Sequence, residues 1–190
     1  MAIFYKEFYR PILVSCLLVA LAGTARAQDF ESSAEGPEEA RSTIIAEDVA
    51  EGAGLVSFRI AGSALKPRQD DVSYSVGGGG ACAYVTAGDA LTVWNHAVTL
   101  PQGSVINTLR MYYYDTSASN STAWFTVYDL YGSIVEEWPV STSTTGGNSF
   151  NDSALIDHQI DYNVYSYLLN WRPGVTGSTM QLCGFRIFYQ

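Results

Sequence analysis

Residues 105–115 read Val-Ile-Asn-Thr-Leu-Arg-Met-Tyr-Tyr-Tyr-Asp, a polar run follows over 116–121, and residues 123–131 read Ala-Trp-Phe-Thr-Val-Tyr-Asp-Leu-Tyr. Both apolar runs are rich in β-branched and aromatic residues. In an extended chain successive side chains point to opposite faces, so Val105, Leu109, Met111 and Tyr113 oppose Tyr112 and Tyr114. Likewise Ala123, Phe125 and Val127 oppose Trp124, Tyr128 and Leu130. This is strand, turn, strand chemistry.

Working outward, the same texture holds from residue 55 to the end. It predicts strands over 55–61, 72–76, 82–87, 92–100, 105–115, 123–131, 133–140, 156–169 with a break near Asn163, and 179–189, separated by Gly, Pro, Asn, Asp and Ser clusters. Helical spacers long enough for parallel crossovers are missing. The pattern therefore predicts an all-β fold over residues 52–190: an antiparallel β-sandwich of jelly-roll type with about nine strands, a closed barrel being the alternative.

The whole chain has 190 residues, with 19 Asp+Glu against 10 Lys+Arg and a net charge of -9. That leaves too few cations for a nucleic-acid-binding stripe, so nucleic acid is excluded as a partner. With 47% apolar residues, a wholly disordered chain is excluded as well.

Residues 1–27 read as an export signal: Lys6 and Arg10, an apolar run over 12–22, then Ala25-Arg26-Ala27 with small residues at the cleavage positions. The run is too short for a bilayer-spanning helix, which needs about 20 residues, so no membrane span is expected. A rival reading makes Leu13-Val14-Ser15-Cys16 a lipoprotein box, although Cys16 sits in mid-run. Residues 28–51 follow as an acidic leader in which Arg41 alone opposes Asp29, Glu31, Glu35, Glu38, Glu39, Glu47, Asp48 and Glu51. Self-repulsion and few aromatics predict disorder there, as a solubilising leader, a propeptide or a tether. The expected location is secreted or periplasmic.

Loss of the signal leaves two cysteines, Cys82 and Cys183, which an exported chain usually pairs. The bond would join an early strand to the last one.

No constellation for catalysis emerges, and no cofactor or catalytic residue is assigned. His96 and His158 lie outside recognisable metal or nucleophile motifs, and an Asp157, His158, Asp161 grouping with some serine is a chance match. Glu136 and Glu137, as strand neighbours, point to opposite faces and cannot flank one glycosidic bond. Asp115 and Asn120 offer oxygen atoms to a hard cation such as calcium, but without the spaced acidic set of a calcium loop, and a turn is the favoured reading. The four glycines at 77–80 read as a hairpin or bulge, since no Lys-Ser/Thr pair follows them.

The aromatics carry what remains. A two-layer sandwich buries only the inner face of each sheet, yet the aromatic strands are apolar on both faces. Several tyrosines, and Trp124 or Trp138, are therefore expected on an outer face. The candidate ligand-binding set is Trp124, Tyr128, Tyr112 and Tyr114, rings suited to stacking on sugars.

Leu100-Pro101-Gln102-Gly103-Ser104-Val105 entering the strand that ends Tyr112-Tyr113-Tyr114-Asp115, then Tyr165-Ser166-Tyr167 with Asn170-Trp171-Arg172-Pro173, then Leu182-Cys183-Gly184-Phe185-Arg186-Ile187, resembles secreted bacterial jelly-roll domains of uncharacterised function. The resemblance implies fold and export, and no mechanism. The functional expectation is a non-catalytic secreted domain binding a carbohydrate or other cell-surface polymer through exposed aromatics. The alternative is a structural protein whose aromatic sheet face packs on other copies as a homo-oligomer.

Overall fold

Turn-forming residues cut the chain into short extended segments, and the apolar side of each segment is what the two sheets bury. The computed structural model describes residues 54–143 and 146–190. The expected export signal, Cys16 and the acidic leader lie outside those residues.

The strands are β1 (Val56–Ala61), β2 (Lys66–Pro67), β3 (Ser73–Gly77), β4 (Cys82–Ala87), β5 (Trp94–Ala97), β6 (Val105–Asp115), β7 (Thr122–Asp129), β8 (Ile134–Ser141), β9 (Gly147–Asp152), β10 (His158–Gln159), β11 (Tyr165–Arg172) and β12 (Met180–Tyr189). They form an antiparallel β-sandwich of jelly-roll type. A seven-stranded sheet has the order β10-β6-β12-β4-β3, with β1 also on β12 and β9 also on β6; a five-stranded sheet has the order β2-β5-β11-β7-β8.

The strand count exceeds the nine expected, for local reasons. β2 is two residues long and too short to register as a period. β9, Gly-Asn-Ser-Phe-Asn-Asp, has the composition of a turn but pairs with β6 from Arg110↔Asp152 to Asp115↔Gly147. The expected strand 156–169 is broken: Tyr165 N donates to Asp161 O at 2.9 Å in a turn, and the flanking pieces join different sheets, β10 the large one and β11 the small one.

Leu109, Met111, Tyr113, Leu182, Phe185 and Ile187 of the large sheet share one buried core with Ala123, Phe125, Val127, Tyr167, Leu169 and Trp171 of the small one. Each large apolar side chain so buried contributes roughly 1.5–3 kcal/mol relative to exposure. Trp94 and Trp171 meet edge to face at 5.5 Å, and Tyr74 closes over Trp94 at 5.0 Å.

Cys82 and Cys183 are bonded to each other. Cys183 is the extra residue of a β-bulge: Leu182 pairs with Tyr113 and Gly184 with Tyr112, leaving Cys183 between them. At Gly184 a Cβ would stand 2.7 Å from Ile60 O, so the close pairing of β1 with β12 at Ala61↔Gly184, beside the bulge, requires glycine. The glycine run makes the β3–β4 hairpin, with Gly78, Gly79 and Gly80 all at positive φ.

Candidate binding site

On β7 the core takes Ala123, Phe125 and Val127, so Trp124, Thr126 and Tyr128 face outward from the small sheet. On β11 the core takes Tyr167, Leu169 and Trp171, and Asn170 stands outward, opposite Trp124. Thr126 and Asn170 are nonetheless almost wholly buried, at 0% and 3% exposure. Neighbouring side chains cover them.

The cover is a directed hydrogen-bond chain. Arg68 reaches in from the segment after β2, its backbone N held by Val93 O at 2.9 Å. Its Nη2 donates to Asn170 Oδ1 at 2.8 Å and to the Tyr128 hydroxyl at 3.1 Å. Asn170 Nδ2 donates to Thr126 Oγ1 at 2.8 Å, and Thr126 Oγ1 donates to Glu137 Oε1 on β8 at 2.9 Å. Asn170 Nδ2 also reaches the Tyr128 hydroxyl at 3.3 Å. Cation, amide, hydroxyl and carboxylate are thus aligned head to tail, an arrangement in which each bond polarises the next. Tyr128 accepts two of these bonds, which leaves its own O–H to donate outward.

Two depressions flank the guanidinium. One is lined by Arg68, Trp124, Tyr128, Ile134, Glu137 and Asn170, and the other by Arg68, Asn95, Tyr128, Asp129, Ser166 and Leu168, among others. At the far side of Trp124, the Arg172 guanidinium lies 5.3 Å from the indole ring. The site thus combines two half-exposed rings, a fixed cation and outward-directed hydrogen-bonding groups.

The four aromatic candidates do not share a face. Trp124 and Tyr128 stand on the small sheet, whereas Tyr112 and Tyr114 are on β6 in the large sheet, facing away from the core that takes Met111 and Tyr113. There Tyr112 packs on Phe150 at 5.9 Å, beside a shallow depression lined with Asn148, Ser149 and Cys183. The same face is braced by Arg110, which donates to both Asp152 oxygens at 2.8 and 3.0 Å and lies 4.2 Å from the Phe150 ring. These bonds to Asp152 raise the Arg110 pKa despite its partial burial. Trp138, the other tryptophan considered for an outer face, instead turns inward onto Phe125 at 6.1 Å.

Glu136 and Glu137 do diverge. Glu137 joins the outer network, while Glu136 Oε2 lies 3.2 Å from His158 Nδ1. His158 sits among Trp138, Tyr165 and Tyr167, with ring centroids 5.7 to 5.9 Å away, and its Nε2 lies 3.4 Å from the Tyr167 hydroxyl. Asp161, by contrast, bonds Gln102 and Asn163, so Asp157, His158 and Asp161 do not assemble as a catalytic group. The pair formed by Glu136 and His158 links β8 of one sheet to β10 of the other.

Asp115 is buried and makes a turn, its Oδ1 accepting from Ser117 N and Oγ, both at 2.9 Å, while Asn120 is exposed. Among the described residues, no cluster of three or more His, Cys, Asp or Glu is placed to hold a metal ion, and no helix is long and apolar enough to cross a membrane.

Sequence reasoning missed Arg68, Thr126, Asn170 and Glu137. The period-2 rule already put Thr126 on the face of Trp124 and Tyr128, a signal that was available. Arg68 gave none, because it lies in a Pro-containing connection whose path no local pattern fixes.

No protein-family model matches the chain, and no curated protein matches it. Among solved structures, it is similar to the C-terminal CBM6 of LamC, a marine laminarinase from Zobellia galactanivorans, with a TM-score of 0.46 and 12% identity over 70% of this chain and 98% of that one. It is also similar to the carbohydrate-binding module CBM6cm-2 of Cellvibrio mixtus lichenase 5A in complex with cellotriose, with a TM-score of 0.43 and 14% identity over 68% and 95% of the two chains. A third similarity is to exo-β-1,3-galactanase from Phanerochaete chrysosporium, with a TM-score of 0.43 and 12% identity over 69% of this chain but only 29% of the enzyme.

Proposed function

We propose that this chain is an exported, non-catalytic domain that binds a carbohydrate polymer through the outer face of its small sheet, with Trp124 and Tyr128 as the stacking rings. The observation that carries this reading is the network beneath them. Thr126 and Asn170 are fully hydrogen-bonded and almost wholly buried on a sheet face over which, among the described residues, no second layer of strands lies. Such a network fixes the Tyr128 ring before a ligand arrives, which lowers the ordering cost of binding. Sugars suit the face because they present C–H surfaces to rings and hydroxyls to the Tyr128 O–H, the Arg68 N–H groups and the Glu137 carboxylate. Non-catalytic action is supported by the divergence of Glu136 and Glu137 and by the engagement of Asp161 in a turn. Export is supported by the residues before 28 and by the disulfide.

The test is affinity electrophoresis of the full chain against a polysaccharide panel, paired with Trp124→Ala. The expected outcome is retardation by at least one polymer, lost in the variant, with a melting temperature within a few degrees of the parent because an outer ring leaves no core cavity. Severe unfolding of Trp124→Ala would make Trp124 a packing residue. No retardation by any polymer, together with a concentration-dependent rise in mass by size exclusion, would favour self-assembly instead.

A further inference from the structure

Resting on that reading of the face, we infer that the polymer is anionic, and that Arg68, with Arg172 across Trp124, receives its carboxylate or sulfate groups. Among the described residues ten Asp and Glu stand against six Lys and Arg, so carboxylates are in excess as partners for an exposed arginine. Arg110 does so, with two bonds to Asp152. Arg68 does not: its Nη2 bonds only the neutral oxygens of Asn170 and Tyr128. Arg172 lies over the Trp124 ring and has no carboxylate within ion-pair distance among the described residues.

The geometry presents the charge as well as retaining it. With both Nη2 hydrogens of Arg68 taken inside the network, the N–H groups of Nη1 and Nε remain, each able to donate a charged hydrogen bond to a carboxylate or sulfate oxygen. Two anions border the same surface. Glu137 Oε1 is spent on Thr126 at the opposite end of the chain, and Asp129 accepts from the backbone N of Tyr131 and Ser133 at 2.9 and 2.8 Å in its own turn. A polymer with anionic groups along it would meet cations on both sides of the indole.

The experiment is isothermal titration of the full chain, at low and high salt, with polygalacturonate as the carboxylate arm, a sulfated galactan as the sulfate arm, and neutral galactan and xylan as controls. One polyanion is expected to bind at least about tenfold tighter than either neutral polymer and to weaken as salt rises. Arg68→Gln, which keeps an amide donor for the network, and Arg172→Gln should each lose about tenfold, the scale of one charged hydrogen bond. Arg59→Gln on β1 of the other sheet should leave binding unchanged. Should neutral polymers bind as well as charged ones, or should both Arg68→Gln and Arg172→Gln keep full affinity with unchanged melting, the anionic assignment falls while carbohydrate binding stands. If no polysaccharide binds at all, the binding reading falls and takes this one with it.

Discussion

Asn170 Nδ2 donates to Thr126 Oγ1 across 2.8 Å, joining two strands on the side of the small sheet that faces away from the core. Both groups are buried, so each draws part of its hydrogen-bonding capacity from the other. Thr126→Val, which keeps the shape and removes the hydroxyl, should destabilise the domain by about 1–3 kcal/mol in urea unfolding. The pair Thr126→Val with Asn170→Leu should cost less than the sum of the single changes, because both break the same Nδ2–Oγ1 bond and the double variant loses it only once. Strict additivity would show that the two side chains are energetically independent.

The bond between Cys82 and Cys183 closes a sequence separation of 101 residues. Chain entropy assigns about 4.7 kcal/mol to a loop of that length, an upper figure that native strain or residual structure reduces. The double variant Cys82→Ala with Cys183→Ala should lose a few kcal/mol in denaturant unfolding. Loss under about 1 kcal/mol would mean that the unfolded chain gains little freedom when the bond is absent.

Asp161 Oδ1 accepts from Gln102 Nε2 at 2.9 Å, from Asn163 N at 3.0 Å and from Asn163 Nδ2 at 2.9 Å. The Gln102 bond first, then the Asn163 bonds, hold this carboxyl below its ordinary value. Asp129 is lowered in the same direction, chiefly by the Ser133 backbone N–H. A folded-state pKa below the unfolded one of about 3.9 gives stability that is present above that value and lost as pH falls through the folded one. Carboxyl NMR titration should place both midpoints below the ordinary Asp value, and Gln102→Ala should raise that of Asp161 while leaving Asp129 alone. A midpoint for Asp161 at or above the ordinary value would contradict the bonding described.

Asp157, directly before His158, holds φ at 49°, the one non-glycine residue with positive φ among those described. Aspartate tolerates this conformation better than a β-branched residue does. Asp157→Gly should change stability by less than about 1 kcal/mol, whereas Asp157→Val should cost about 1–2 kcal/mol or more in thermal or denaturant melts. Equal stability of the two variants would show that the turn relaxes to another backbone path.

Several features were legible in the chain itself. The segments 82–87 and 105–115 form strands with the bounds read from sequence, because alternation there stops at glycine or at a polar turn. The cysteine pair, the divergence of Glu136 from Glu137 and the shared face of Trp124 and Tyr128 also followed from composition and a two-residue period. All of these are local, or nearly so: pleating dictates which side chains of one strand share a face, whatever that strand pairs with. Sheet membership is not local. Nothing within 105–115 or 123–131 says that the first strand pairs with β12 and the second with β11, and that difference sends Tyr112 and Tyr114 to one outer face and Trp124 and Tyr128 to the other. The strand identity of β9 likewise comes from the open edge of β6, which supplies partners to a polar segment with little strand propensity of its own. Arg68 meets Asn170 across 102 positions only because β2 takes the edge of the small sheet beside β5, a placement decided by which apolar faces must close over Trp94 and Trp171 rather than by any pattern near residue 68.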